Sequence, residues 1–447
     1  MYDEFLLMLS LLIVVFNVFY GLIAYVQLLI FKKVIFESIY LKFIIIAIVI
    51  FFGFYYFKLK KYKLKLAVNK KVMFSFLLWI AYSFISFLLL FRFNYGVTYT
   101  VFSFFAMLFY PALMLVYCVK SNNTIEINAS IYDTICKILY GISIVIGIIG
   151  ILQYKFNFQL FNSNNSDSYY KILSQSFYGS LRAIGFFNSA LDFGTFFAIV
   201  LSLSLSRLLF KKINVLDIIV LCLSLVCIYI SLTRNVYIFT IITIVTLIFI
   251  KFVKMTKERK INIYILRVLP FMYIFVVFVV LFKLYGTLTH FSNYSTQGMS
   301  NSMSLIYRIN SWGSYFNKYI MKGNIFNVLF GYGLMQNDKF AVSKNIAIDN
   351  TYFSLLLYQG ILGLILFLNF FARLWLYLVK NCLKQFNYFE IGIMGILSSF
   401  LVRSLFNVTF FGDYLLLICI FVILSNVNSK EKLVAEDRRV GFKLWKD

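Results

Sequence analysis

Histidine occurs once in this chain, at His290, and acidic residues number 17 against 42 lysines and arginines. With no second histidine, cysteine or carboxylate cluster beside it, His290 reads as a loop residue and not as a metal ligand. The six cysteines are Cys118, Cys136, Cys222, Cys227, Cys382 and Cys419. They fall in hydrophobic segments or at ends expected to face the cytoplasm, and Cys222 and Cys227 miss a CxxC spacing. Neither a disulfide framework nor a metal or other cofactor site is expected from them, only small apolar packing. Alternating segments of about ten residues, the mark of a membrane β-barrel, are missing. The apolar runs are continuous instead, as from Ile44 to Phe54. A cleavable signal peptide is not expected, because Asp3 and Glu4 stand where it would be basic and no small-residue cleavage site follows. No convincing internal repeat is visible, which tells against a secondary transporter built from paired halves.

What is abundant is apolar. Hydrophobic residues make up 62% of the 447-residue chain and its mean hydropathy is +0.88, well above a soluble domain, whose surface must be polar. Apolar runs of about 18 or more residues recur along nearly the whole length. They predict an all-α polytopic membrane protein of about 12 transmembrane helices. The predicted spans are 5–29, 38–57, 72–91, 100–119, 135–154, 193–210, 215–232, 235–250, 268–286, 351–372, 389–406 and 413–427.

The formal charge of +25 does not point to nucleic acid, because its lysines and arginines cluster in short loops between apolar runs, as the positive-inside rule requires. The loop at 58–71 carries seven lysines, Lys58, Lys60, Lys61, Lys63, Lys65, Lys70 and Lys71. The loop at 251–267 and the tail at 428–447 are also basic. All three are assigned to the cytoplasm, with both termini inside. Two outer segments are then long, 155–192 and 287–350, and loops of that length usually have a function.

The apolar run from Val215 to Ile250 is broken only by Thr233-Arg234-Asn235 and is flanked by basic loops on both sides. It must therefore cross twice. Each half is short for a core of about 30 Å, so the turn is expected to be recessed and Arg234 partly shielded.

Few charges fall on the outer face. Arg182, Arg234, Arg308 and Arg403 are the notable ones. Arginine presents a planar fork of donors that matches phosphate. Taken singly, each is equally an interfacial snorkel or a structural ion-pair partner. A charge in as short a membrane turn as that of Arg234 is expensive without a purpose. Asp349-Asn350 opens the tenth span, with Gly360 and Gly363 inside it. Asp349 suits a helix N-cap or a general base, and the glycines suit close approach by a neighbouring helix. Gly331-Tyr332-Gly333 reads as a loop turn. The outer aromatics Tyr169, Tyr170, Phe177, Tyr178, Trp312, Tyr315 and Phe316 suit either sugar stacking or an interfacial belt.

In this order along the chain, the motifs resemble the O-antigen polymerase and O-antigen ligase superfamily. They are Arg182, Gly185, Phe187 and Asn188; Thr233-Arg234; Arg308 and Trp312; Gly331 and Gly333; and Asp349-Asn350 followed by Gly360 and Gly363. The closing motif departs from the family at one place, since Asp349 replaces a histidine. In the ligases that histidine is thought catalytic, so the polymerase reading is favoured. The resemblance implies a metal-independent glycosyltransferase of the GT-C type in the bacterial inner membrane, active at its periplasmic face. Its substrate would be glycan linked to undecaprenyl pyrophosphate, polymerised into O-antigen or a related surface polysaccharide. A chain-length regulator is an implied partner. Arg234 and Arg308 would stabilise the leaving pyrophosphate, with Arg182 and Arg403 helping to bind it. Asp349 would act as base or acceptor-positioning group, with Asn350 as its hydrogen-bond partner. A flippase for the same lipid, the ligase and a non-enzymatic scaffold are the competing readings.

Overall fold

The computed structural model describes residues 64–66, 70–88, 119–121, 129–156, 182–187, 189–211, 213–258, 312–313, 316–332 and 350–404. The described chain is almost entirely helical. Its helices are α1 (Lys70–Leu88), α2 (Ala129–Phe156), α3 (Ala190–Phe210), α4 (Val215–Ile230), α5 (Arg234–Lys257), α6 (Ile325–Phe330), α7 (Thr351–Gln385) and α8 (Tyr388–Arg403). One short antiparallel pair, β1 (Leu64–Leu66) with β2 (Val119–Ser121), sets Lys65 opposite Lys120. This joins two segments that the charge pattern assigns to the same face.

Four helices are long and apolar enough to cross a membrane, over Tyr132–Phe156, Ala190–Phe210, Arg234–Lys257 and Thr351–Cys382. Three shorter apolar helices, Lys71–Ser86, Val215–Ile230 and Tyr388–Leu401, pack with them. The protein is a helical membrane protein. Apolar runs become helices here because an α-helix satisfies every backbone donor and acceptor within its own segment. Seven of the predicted spans coincide with α1 to α5, α7 and α8. Those at 5–29, 38–57, 268–286 and 413–427, and all but Val119 of that at 100–119, lie outside the described residues.

Local polar residues set the helix starts. The Ser189 hydroxyl accepts from the Asp192 N–H at 3.1 Å and donates to the Asp192 carboxylate at 2.8 Å, which caps α3. Asn214 caps α4 through Leu216 N–H at 3.1 Å. Asn387 accepts from Phe389 N–H at 3.0 Å at the start of α8. Phe386, in the left-handed region at φ 47°, ends α7.

α3 is the central helix, buried along most of its length among α2, α4, α5 and α8. Phe193, Phe197 and Leu201 are fully enclosed. Small and hydroxylated residues let the neighbours close in. Ser202 donates to the Gly392 carbonyl at 2.7 Å, and Thr243 of α5 donates to Ser399 of α8 at 2.9 Å.

The helix ends sort into two sets. At one, the starts of α1, α2, α4 and α8 meet the ends of α3, α5 and α7. This is the basic end. Arg207 lies between Asp133, at 3.4 Å, and Asp217, at 3.3 Å. Lys211 reaches Asp133 at 2.6 Å, and the Tyr388 hydroxyl donates to the same carboxylate at 2.6 Å. The Arg207 guanidinium also sits over the Tyr388 ring at 5.3 Å. Lys251 donates to the Leu209 carbonyl, and Arg373 donates to the Lys71 carbonyl at 3.2 Å. The seven described helices that coincide with predicted spans therefore alternate in direction, as the placement of lysine and arginine predicts.

Two helices outrun their predicted spans at this end. α5 continues from the predicted limit at 250 to Lys257, and α7 from 372 to Gln385. Basic residues there extend the helices past the apolar segment and favour the negative end of the helix dipole.

Arg207 and Asp217 are 7% and 1% exposed. Arg207→Ala would strand Asp217 as a buried charge and is expected to destabilise the detergent-solubilised protein by roughly 3–5 kcal/mol. The double variant Arg207→Met with Asp217→Leu should lose much less. Equilibrium unfolding of both reads this out, and equal losses would mean that charge pairing is not what holds this end.

Candidate functional site

The opposite end of the bundle gathers the predicted outer residues. Residues 182–187 run across it just before α3. Gln153 of α2 holds this stretch with its side-chain amide. Its oxygen accepts from Ile184 N–H at 3.2 Å and Gly185 N–H at 2.8 Å, and its nitrogen donates to the Gly185 carbonyl at 3.1 Å. Gly185 has φ +55°, and a Cβ there would meet Ile146 at 2.9 Å, so glycine is required. Ala183 N–H donates to the Ile230 carbonyl at 3.2 Å. That bond ties the stretch to the end of α4, where the chain turns into α5.

This α4–α5 turn is tight. Leu232 takes the left-handed conformation at φ 48°, and Thr233 donates to the Ser231 carbonyl at 2.9 Å. Arg234 is the first residue of α5. Ser231, which closes α4, is fully buried, and Leu232 and Thr233 are half-buried. The expected shielding of Arg234 is not found, and its side chain is exposed. The reason is position: Arg234 is the opening residue of α5, after the half-buried Leu232 and Thr233.

Arg182 is half-buried and lies within electrostatic reach of Arg234. Burial first, and then the Arg234 charge, hold the Arg182 guanidinium below the usual arginine range, while Tyr237 acts in the other direction. The Arg234 charge thus acts on Arg182 across this corner, and an anion seated there would be attracted by both guanidinium groups. Tyr237 donates to the Tyr229 carbonyl at 2.8 Å and completes this corner. Neither Tyr237 nor Gln153 stands out in the sequence.

Arg403 differs. It is 2% exposed, in the last turn of α8, with its guanidinium over Phe239 at 5.5 Å and Phe400 at 6.0 Å. Its charge acts on Asp192 of α3. Its surroundings are those of a packing cation that joins α8 to α3 and α5.

The start of α7 is stapled to this end. Thr351 N–H donates to the Ser404 carbonyl at 2.9 Å and the Tyr352 hydroxyl to the Leu401 carbonyl at 2.8 Å. Asn350, not Asp349, is the cap. Its side-chain oxygen accepts from Tyr352 N–H at 2.9 Å and Phe353 N–H at 3.1 Å. The helix starts one residue later than the tenth span's Asp-Asn opening first suggests, because asparagine satisfies two orphan amides there. Trp312 stacks on Phe353 with ring centroids 6.0 Å apart. Its buried indole N–H has no hydrogen-bond partner among the described residues.

Gly360 admits close backbone approach, as expected, and the helix it admits is the end of α6. Gly360 also breaks α7, with φ 68° and ψ −171°. A Cβ on Gly360 would collide with the Leu329 carbonyl, and one on Gly331 (φ +81°) with the Tyr358 carbonyl. The Gly-x-Gly turn and the closing glycine motif therefore pack backbone against backbone. Gly363 faces α1, where its added Cβ would lie 3.0 Å from Tyr82. Asp349, Arg308, Asn188, Gly333 and His290 lie outside the described residues, as do the aromatics at 169, 170, 177, 178 and 315. Phe316 is described and exposed. Among the described residues no group of three or more His, Cys, Asp and Glu side chains is placed to hold a metal ion.

No family model matches the chain, and no curated protein sequence matches it.

Two predictions follow from this geometry. Asn350→Ala should cost about 1 kcal/mol in thermal unfolding, while Asn350→Ser, which keeps a capping oxygen, should cost little. Gly331→Ala or Gly360→Ala should cost at least about 1–3 kcal/mol, from enforced φ strain alone. Gly141→Ala on α2, where an added Cβ meets nothing within 4 Å, should be neutral or stabilising. Thermal unfolding that ranks Gly141→Ala with the other two would contradict the backbone contact.

Proposed function

We propose that this protein is a polymerase of lipid-linked polysaccharide repeats, working at the arginine-bearing end, which would face the periplasm across the bacterial inner membrane. The observation that carries the reading is the pair Arg182 and Arg234, drawn together at one corner of that end by the α4–α5 turn and the Gln153-bound stretch. A diphosphate is the anion best matched to two neighbouring guanidinium forks. Trp312, beside the start of α7, adds an aromatic face and a buried N–H donor, the chemistry that meets a sugar ring and its oxygens. The ordered resemblance of these motifs to the O-antigen polymerase and ligase superfamily supplies the substrate class.

In this reading a hydroxyl oxygen of the incoming lipid-linked repeat bonds to the anomeric carbon of the growing chain. The bond from that carbon to the undecaprenyl pyrophosphate oxygen breaks, and the electron pair leaves with the pyrophosphate. Arg182 and Arg234, with Arg308, stabilise the charge that develops on it. The hydroxyl proton passes to a carboxylate, for which Asp349 is the candidate. A GT-C arrangement of about twelve spans with a chain-length regulator as partner belongs to the same proposal.

Flippase activity is the competing reading. A flippase must present cation to the diphosphate along the path between both faces. At the basic end Arg207 is engaged by Asp133 and Asp217, which disfavours such a path there.

The test is surface-glycan electrophoresis in cells whose only copy carries Arg182→Ala or Arg234→Ala. The polymer ladder should fall by roughly a hundredfold, with single-repeat glycan still reaching the outer face. Arg234→Lys, which keeps the charge and loses the fork, should fall in between. Repeats trapped on the cytoplasmic side would instead identify a flippase, and an unchanged ladder would reject a role in phosphate binding.

A further inference from the structure

The segment from Phe316 to Tyr332 contains a π-helical turn (Phe316–Met321) and α6. It is tied to the bundle deep along α7 and α1, not at their tips. Tyr332 N–H donates to the Leu357 carbonyl at 2.8 Å. The Tyr82 hydroxyl contacts the Gln359 carbonyl at 2.7 Å and the Phe330 carbonyl at 3.4 Å. Gly331 lies against the Gly360 break.

Two helices measure the depth of this attachment independently. Arg373 of α7 donates to the Lys71 carbonyl of α1, and both cations lie at the basic margin of uncharged stretches. From Arg373, Gly360 is about 20 Å along α7, at 1.5 Å per residue. From Lys71, Tyr82 is about 17 Å along α1 by the same rise. A hydrocarbon core is about 30 Å thick. Helix tilt only shortens the projected depth and moves the contact further from the opposite surface. The attachment therefore falls at hydrocarbon depth, about 10 Å below the arginine-bearing surface.

The segment is built for that depth. α6 meets part of its backbone hydrogen bonding itself, with Val328 N–H bonded to the Asn324 carbonyl at 3.0 Å and Gly331 N–H to the Asn327 carbonyl at 2.8 Å, and the Phe330 carbonyl is contacted by Tyr82. Asn324 caps it through Phe326 N–H at 3.1 Å. Yet none of the α6 side chains is buried, and Met321 and Ile325 are 69% and 76% exposed. Phe326 and Leu329 are also exposed. Such a face is costly in water and costs nothing in hydrocarbon.

We propose that residues 316–332 are a re-entrant membrane segment, whose Met321, Ile325, Phe326 and Leu329 side chains lie against the acyl chains of the leaflet at the arginine-bearing end. The proposal is independent of the glycan chemistry.

Nitroxide labelling tests it. Ile325→Cys and Phe326→Cys would be made in the full chain, spin-labelled and reconstituted in phospholipid vesicles, with the unsubstituted protein giving the background from native thiols. Collision with molecular oxygen, which partitions into hydrocarbon, is compared with collision with a neutral, water-soluble nickel chelate. Both sites should show high oxygen and low nickel accessibility, matching Ile219→Cys on the exposed face of α4 and several-fold above Lys257→Cys, at the exposed basic end of α5, in oxygen-to-nickel ratio. High nickel accessibility would place the segment in water and overturn the proposal. Low accessibility to both reagents would mean that protein covers the face, and would overturn it equally.

Discussion

The break in α7 at Gly360 is the constraint on which the arrangement of the arginine-bearing end depends. A helix interrupted within an apolar run frees backbone carbonyls, and each must find another donor. α1 provides them. Ser86 donates to the Tyr358 carbonyl at 2.9 Å, and Tyr82 to that of Gln359 at 2.7 Å. The Gln359 side chain accepts from Trp79 at 3.0 Å and donates to Ser83 at 2.9 Å. One polar face of α1, spaced at helical intervals through Trp79, Tyr82, Ser83 and Ser86, exists to receive one broken turn of α7. The gap left by the absent Cβ at Gly360 then admits the backbone of Leu329 and Gly331. Remove the break, and the 316–332 segment loses its seat. The part of α7 that carries Asn350 and the Trp312 contact would also change direction.

The two ends of the bundle use cations in opposite ways. At the basic end Arg207 is enclosed by two carboxylates, two tyrosine rings and a neighbouring lysine that shares Asp133. That network balances two cations with two carboxylates, and it binds α2, α3, α4 and α8 together. At the other end Arg403 is enclosed similarly by Phe239, Phe400 and the nearby Asp192. Arg182 and Arg234 act on each other as like charges. Burial distinguishes these arginines better than sequence position does. A cation surrounded by rings and a carboxylate fixes helices, whereas two cations brought together favour an anion between them.

The crossings were legible because they depend on composition over some twenty residues and on where lysine and arginine fall, both of which survive without tertiary information. The turn at Thr233-Arg234 was legible for the same reason, since basic flanks on both sides imply that the apolar run reverses direction. What was not legible depends on pairs distant in sequence. Gly331 and Gly360 each look like ordinary turn or packing glycines, and only their mutual contact shows why both lack a Cβ. Asn350 and Asp349 are equally good caps by residue type, and the choice follows from the bonds that fasten Thr351 and Tyr352 to the end of α8. The lengths of α5 and α7 were underestimated because hydropathy marks where apolar residues stop, while a helix continues as long as its residues propagate it.

Gln153 shows how far such distant pairs reach into the candidate site. It lies near the end of α2, 4% exposed, in a stretch that reads as plain span. Its one amide takes two backbone donors and serves one backbone acceptor of the 184–185 turn. That turn carries Arg182 at one side and leads through the Ser189 cap into α3 at the other. The position of Arg182 is therefore determined by a neutral side chain on another helix, and the position of Arg234 by the left-handed residue Leu232 in the preceding turn. Neither arginine chooses its own place. Their proximity is a product of how α2, α3, α4 and α5 pack, so an anion bound between them would be sensed directly by the four helices that form the centre of the bundle.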